Sequence, residues 1–352
     1  FTTHTPVPAG HDQFPPDLAR EILGDERADG LHALGCCVDG KLNMTFLALT
    51  FSRYVNGVAM RHGQVSRGMF PNYPIASITN GVHVVTWATK PIQAMFDEHI
   101  PAWRADVQNL RYAVSIPLED IRRAHAACKA NLIEAVHART GQRLDPNVMT
   151  IGYARRAATY KRADLIVHDL DRLRAIANQV GPIQLVYAGK AHPRDAEGKA
   201  MIRRVFEAAE ALRDSVPVVY LENYDMEIAS FLVAGVDLWL NTPQKPQEAS
   251  GTSGMKAAVN GVPSLSVLDG WWVEGHVEGV TGWSIGDSWE GEGELARESA
   301  DLYDKLGRII LPLFYGRPSG YAQVMRSSIA LNGSFFNARR MVLQYRENAY
   351  RI

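Results

Sequence analysis

The chain has 352 residues, 46% of them hydrophobic and 21% charged, with 37 Lys+Arg against 38 Asp+Glu for a formal net charge of −1. That length suits two domains with ample core, and the charge balance argues against a general polyanion binder such as a nucleic-acid-binding protein. With 29 Gly and 18 Pro the composition excludes disordered and collagen-like chains, and it leaves room for a small basic pocket. In chain order, a loop rich in Pro and His leads to residues 17–23, whose polar start and apolar spacing predict a short helix. Residues 44–59 read as a second helix with apolar side chains on more than one face, hence buried on several sides. Near Pro74 the character changes, and short β-branched runs alternate with amphipathic segments. Strands are expected at 148–153, 183–188, 216–221, 236–240 and 264–268, and helices at 161–179, 194–213, 225–234 and 254–260. Mostly apolar strands separated by helices predict an α/β fold, a parallel sheet covered on both faces, with ligands beyond the carboxyl ends of its strands. Residues 301–311 and 334–345 close the chain as helices.

Cys36, Cys37 and Cys128 are too few for a disulfide framework and lack zinc-site spacing. They read as reduced, buried thiols of a cytoplasmic protein. No window approaches the roughly 18 uninterrupted apolar residues of a membrane span, and no basic region followed by an apolar run opens the chain. The opening also lacks an initiator Met, which reads as a start inside a longer protein.

Four segments carry candidate chemistry. Glu248-Ala249-Ser250-Gly251-Thr252-Ser253-Gly254-Met255-Lys256 follows an expected strand and opens an expected helix. Its small residues let a ligand approach the backbone, and free amides at a helix start attract anions. It is not a Walker A loop, because its Gly and Lys are not adjacent and no Ser or Thr follows Lys256. The flanking acid Glu248 and amine Lys256 distinguish it from a plain tight turn. Arg155-Arg156-Ala157-Ala158-Thr159-Tyr160-Lys161-Arg162 sets four cations at a strand's carboxyl end, able to neutralise one or two phosphates; the competing reading is a solvated charged turn. Thr79-Asn80-Gly81 with Trp87, and Gly189-Lys190-Ala191-His192-Pro193, are compatible with ordinary turns. The residues alone describe an α/β protein with an anion pocket, a poised lysine and polar groups suited to sugar hydroxyls.

The segment from Glu248 to Lys256, followed by Ala257-Ala258-Val259-Asn260-Gly261, resembles the cofactor-binding segment of the α-glucan phosphorylases. The resemblance extends over essentially the whole chain, through Thr2-Thr3-His4-Thr5-Pro6-Val7-Pro8, Thr79-Asn80-Gly81 with Trp87, Arg155-Arg156 with Tyr160-Lys161-Arg162, Gly189-Lys190-Ala191, Leu221-Glu222-Asn223-Tyr224 and Asp269-Gly270-Trp271-Trp272. The opening and the Asp-Gly-Trp-Trp segment look like the bacterial branch. The resemblance implies the GT-B arrangement of two Rossmann-like lobes, pyridoxal 5′-phosphate as cofactor, and phosphorolysis of α-1,4-glucan by inorganic phosphate to α-D-glucose 1-phosphate with retention. It implies Lys256 as the cofactor lysine, with Trp87, Tyr224, Thr252, Ser253 and Arg155 around the cofactor. Arg156 and Lys161 match the phosphate-binding cations. His4, Asn80, Tyr160 and Glu248, with the amides of Ser250 and Gly251, match groups that bind glucosyl hydroxyls. Lys256, Arg155, Arg156, Lys161, Thr252 and His4 are the residues expected to serve catalysis. No metal, nucleic acid or membrane partner is expected, and a homo-oligomer is compatible with the reading.

Most pyridoxal enzymes use the ring as an electron sink. This family instead uses the cofactor's 5′-phosphate as an acid beside the substrate phosphate. Two phosphates in contact repel, so they share a proton and the pKa of the pair rises, and cations make the approach tolerable. No carboxylate nucleophile is needed, so Glu248 is expected to accept sugar hydroxyls and not to attack the sugar.

Three departures stand out. The family's first lobe lies upstream of the opening motif, so the chain is expected to be a C-terminal portion, inactive alone, with the N-terminal lobe of the same protein as partner. Ser253-Gly254 replaces a Gly-Asn pair seen in animal members, and Arg155 stands where many members have Lys, which is not an equivalent cation. The expected organisation is 1–78 as the end of the N-terminal lobe, 79–330 as the C-terminal lobe and 331–352 as a closing helical segment. Two other functions share parts of this pattern. A nucleotide-sugar-dependent GT-B glucosyltransferase similar to glycogen synthase needs no cofactor lysine, and a non-catalytic glucan-binding module needs no converging cations. Trp271, Trp272 and Trp283 read as core aromatics before glucan-stacking platforms.

Overall fold

The five expected strands and one further run pair into a single sheet. In the computed structural model, which describes residues 1–288 and 294–351, these are β1 (Met149–Ala154), β2 (Ile183–Ala188), β3 (Val218–Leu221), β4 (Leu238–Asn241), β5 (Ser264–Val267) and β6 (Gly282–Ile285). They lie in the order β3-β2-β1-β4-β5-β6, every neighbouring pair parallel. This is the doubly wound order of a Rossmann-like lobe. The direction of winding reverses between β1 and β4, so the crevice for ligands opens at their carboxyl ends. The sixth strand escapes pattern reading because Gly282-Trp283-Ser284-Ile285 is short and half polar. All four residues are nonetheless buried, and Trp283 is core, as are Trp271 and Trp272.

The longest helix, α1 (Leu118–Thr140), was not foreseen either. Its buried face runs through Ile121, Ala124, Cys128, Leu132 and Val136, but His125 and Lys129 interrupt the apolar stripe. Both reach the buried Asp237 just before β4, His125 Nε2 lying 2.9 Å from Oδ1 and Lys129 Nζ donating to Oδ2 at 2.7 Å. Thr150 N–H in β1 donates to the same carboxylate at 2.7 Å. The crossover helices are α2 (Leu170–Gln179), α3 (Ala196–Ala211), α4 (Met226–Gly235) and α5 (Thr252–Val259). Asp169, Asp195 and Asp225 cap the first three by accepting the N–H of Arg172, Gly198 and Ile228. The expected helix at 161–179 therefore shortens to α2. Before it lie the 3-10 turns Thr159–Lys161 and Leu165–Val167, separated by Arg162 in a left-handed conformation with φ +46°.

The first segment departs further from expectation. The helix Pro16–Leu23 forms as predicted, but the second stops at Met44–Thr50, with only Thr45 and Leu49 buried. The chain then extends so that Asn56–Gly57 pairs in parallel with Ala76–Ser77, while Asn56 also exchanges backbone bonds with Phe1 and Thr3. Extended backbone at Asn56 serves two neighbours at once, which helical backbone cannot do. A separate helix, Met60–Met69, follows.

After β6 come α6 (Leu295–Lys305), the π-turn Leu306–Ile310, the helix Leu311–Gly316, α7 (Pro318–Ser327) and α8 (Ala338–Asn348). The last helix returns to the start of the chain. Asn56 Nδ2 donates to Tyr345 Oη at 3.0 Å, and that hydroxyl lies 3.3 Å from Thr2 Oγ1. No helix among the described residues is long and apolar enough to cross a membrane. All three cysteines are unpaired; Cys36 and Cys128 are buried as expected, whereas Cys37 is only half-buried.

Candidate functional site

A cavity of about 470 Å³ lies beyond the carboxyl ends of β1 and β4. Its wall brings together His4, Asn80, Arg155, Arg156, Tyr160, Lys161, Tyr224, Glu248, Ser250, Gly251, Thr252, Ser253 and Lys256, with Thr5, Val58 and Gln247 between them. Trp87, the remaining expected residue, stacks against Lys256, whose Nζ stands 3.6 Å from the ring centroid. The Gly189–Pro193 segment stays outside the wall. Its backbone supports the basic loop instead, with Lys190 C=O accepting Ala157 N–H at 3.0 Å.

Glu248 is the electrostatic centre. Its oxygens accept from Lys161 Nζ at 2.8 and 2.6 Å, and Oε2 forms an ion pair with an Arg155 guanidinium nitrogen at 2.9 Å. All three side chains are at most 10% exposed. Burial alone pushes the Glu248 carboxyl up, but Arg155 and Lys161 together hold it below its ordinary value. Burial, with Arg155 adding to it, lowers Lys161 to about 8. Arg155 also donates to Asn241 Oδ1 at the end of β4, so one side chain spans the point where the winding reverses. Arg156 forms no ion pair and no side-chain hydrogen bond among the described residues. Four basic side chains, Arg155, Arg156, Lys161 and Lys256, against one carboxylate leave the cavity with a positive excess.

The backbone holding these groups is tied from several sides. Lys161 C=O accepts from Tyr153 Oη at 2.9 Å and from Thr242 Oγ1 at 3.0 Å. Arg162 donates to the carbonyls of Thr242 and Pro243 and pairs with the buried Glu298 at 2.6 Å. At the opposite wall, Gly251 precedes α5 with φ +87°, a left-handed conformation that favours glycine, and no side chain caps the helix. Trp271 packs beneath, and its N–H donates to Ser250 C=O at 2.9 Å. The buried Asp269 accepts the N–H of Glu248 at 2.8 Å and of Gly270 at 2.9 Å, and burial pushes its carboxyl up to about 7.

Residues 79–81 carry no turn. Gly81 serves a close approach instead: a Cβ there would lie 2.2 Å from Asn337 C=O. Lys256 has no hydrogen-bond partner for its amine among the described residues, and burial lowers its pKa. Asn260, one helical turn on, fixes the geometry by donating to Trp87 C=O at 2.8 Å and Lys256 C=O at 2.9 Å.

Residues 12–280 match the carbohydrate phosphorylase family. The chain belongs to that family. A maltodextrin phosphorylase of Thermococcus litoralis is 41% identical, the match covering 99% of this chain and 46% of the relative. Glycogen phosphorylases of Mycobacterium tuberculosis and Aquifex aeolicus are 37% and 35% identical, each over 99% of this chain and over 46% and 56% of their own length. This phosphorylase-family chain thus spans about half the length of the curated relatives it matches. Sequence reasoning gave Asn260 and Asp269 no role beyond their place in quoted motifs, and it overlooked Asn241 and Arg340. Asn260 carried a signal, the i+4 spacing from Lys256 that puts both on one helix face. Arg340 carried none, because its partners are remote in the chain.

Proposed function

We propose that this chain is the cofactor- and phosphate-binding part of a pyridoxal 5′-phosphate-dependent α-glucan phosphorylase. The full protein then converts α-1,4-glucan and inorganic phosphate to α-D-glucose 1-phosphate with retention. One observation carries the reading: a lysine with no hydrogen-bond partner among the described residues, a positive excess and an uncapped helix start converge on one cavity.

The residues fit the cofactor. Ser250 Oγ, Ser253 Oγ and Arg155 Nε are buried without partners, and such groups are costly unless a ligand satisfies them. Lowered by burial, the Lys256 amine has a larger neutral fraction for carbonyl chemistry. Lys256 and Trp87 would hold the ring, with Tyr224, Thr252, Ser253 and Arg155 around it. When bound, the cofactor supplies an acidic 5′-phosphate beside the substrate phosphate. Arg156, free of any acid partner, and Lys161 bind and orient the incoming phosphate and reduce the repulsion between the two groups. His4, Asn80, Tyr160 and the amides of Ser250 and Gly251 bind the glucosyl hydroxyls. Both oxygens of Glu248 already face cations, which suits an orienting acceptor and not a nucleophile.

In this reading residues 79–330 form the C-terminal lobe, 1–78 the end of the other lobe, and 331–352 a closing segment. The unpaired thiols suit a cytoplasmic setting. The 352 residues alone are proposed not to turn over, since they span about half of each relative. Borohydride reduction after loading with pyridoxal 5′-phosphate, followed by peptide mapping, tests the core of the proposal. The label is expected on the Lys256 peptide. An unlabelled Lys256 in a protein that binds a nucleotide sugar would instead establish the transferase reading. Phosphate-dependent glucose 1-phosphate release by the 352 residues alone would overturn the claim that they are inactive.

A further inference from the structure

Asn80 lines the cavity, and its carboxamide makes no hydrogen bond to protein among the described residues. Its backbone is tied on both sides. Asn80 N–H donates to Val58 C=O at 3.0 Å, and its C=O accepts from Arg340 in α8 at 2.9 Å. The same guanidinium donates to Thr79 C=O. Its other N–H groups reach Phe335 C=O at 3.0 Å and Gln344 Oε1 at 2.9 Å. Arg340 is only 6% exposed. Glu274 acts from another side: the Thr79 hydroxyl donates to Oε2 at 2.7 Å, and Met60 N–H donates to Oε1 at 2.9 Å. Just beyond, Val82 exchanges backbone bonds with Phe336 and Ala338 at 3.0 and 2.9 Å, an approach possible because residue 81 is glycine.

We propose that Arg340 and Glu274 are positioning residues, which together lock residues 79–81 so that the Asn80 carboxamide is presented to a hydroxyl of the glucosyl group. The inference rests on the phosphorylase reading above. Burying a guanidinium is expensive, and four charge-assisted bonds, two of them to this segment, offset that cost. A locked backbone beneath a free side chain is the arrangement that preorganises a binding group, because the ordering entropy is lost on folding and not on binding. Lysine cannot substitute at 340, since one ammonium does not reproduce the planar fork that serves both carbonyls.

Calorimetric titration of the cofactor-loaded protein with glucose 1-phosphate, and separately with inorganic phosphate, tests this. Arg340→Met keeps the aliphatic stem and removes the donors. It should weaken glucose 1-phosphate about tenfold, the scale of one lost hydrogen bond, while phosphate affinity and cofactor absorbance stay at wild-type values. Glu274→Ala should behave likewise, and Glu274→Gln, which retains an acceptor oxygen for Met60 and Thr79, should restore binding. Asn80→Ala should match Arg340→Met, and the double variant should lose no more than either alone. Wild-type sugar affinity in Arg340→Met, additive losses, or an equal loss of phosphate affinity and cofactor loading would each overturn the clamp. Should Arg340→Met not fold, Glu274→Ala and its Gln rescue report on the same clamp. A wild-type protein that binds cofactor, phosphate and sugar not at all would sink the phosphorylase reading and the clamp with it. A wild-type protein sensitive to Asn80→Ala but not to Arg340→Met or Glu274→Ala would sink the clamp alone.

Discussion

Lys161 lies within 2.6–2.8 Å of both Glu248 oxygens, yet burial and the neighbouring Arg155 lower its pKa to about 8. In the proposed phosphate-binding role, the charge it offers is present below that value and fades as pH rises through it. The unfolded chain keeps the same proton until about 10.5, so between about 8 and 10.5 this group makes folding more favourable as phosphate binding weakens. Phosphate affinity is therefore expected to fall above about pH 8. Lys161→Arg should remove that alkaline limb, because a guanidinium keeps its charge there. Titrations at several pH values from 7 to 9 check this, and an unchanged limb in the variant would assign it to another group. At this scale the sequence was most informative where functional residues are contiguous. Glu248 to Lys256 and Arg155 to Lys161 declare themselves by composition and spacing. Asn241 and Asp269 do not, because they meet Arg155 and Glu248 only once separate strands lie side by side.

Secondary elements were legible in proportion to the purity of their pattern. β1 to β5 are apolar runs bounded by turn residues, and the structure shifts their ends by no more than two positions. β6 and α1 are stable for reasons outside themselves: one is completed by pairing with β5, the other by the Asp237 contacts that make His125 and Lys129 acceptable inside. The 44–59 helix failed for the converse reason, since Asn56 is claimed by neighbouring backbone. The start of α5 depends on a single conformation. Gly251→Ala adds a Cβ at φ +87°, where left-handed backbone costs about 1–2 kcal/mol. A lower melting temperature is expected together with weaker phosphate binding, since the displaced amides are those at the cavity wall. Unchanged phosphate affinity in a destabilised variant would separate the loop from the anion.

Across the whole molecule, the buried Asp237 network and the candidate site sit at opposite ends of the sheet. The cavity lies beyond the carboxyl ends of β1 and β4, whereas Asp237 joins the middle of α1 to the amino ends of β1 and β4. Its carboxyl would rise through burial alone, but Lys129 and His125 hold it below the ordinary range. Asp237→Asn leaves a buried lysine without its counter-charge, a loss of about 3–5 kcal/mol for a broken buried pair. Thermal unfolding should register it, while phosphate binding by the folded fraction stays near wild type. Equal losses of both would mean that the two ends are coupled. By itself the sequence determined the α/β class and the phosphorylase resemblance, and that resemblance pointed to most of the residues that line the cavity. Those properties are written in short-range periodicity and contiguous motifs, which survive in one dimension. Only the tertiary structure decided that β6 closes the sheet, that Glu248 is gripped by two cations, and that α8 returns to hold Asn80. Such contacts join groups far apart in the chain, 260 positions in the case of Arg340 and Asn80. Any of many donors could in principle satisfy a given carbonyl, so no local pattern singles out the one that the folded chain brings there.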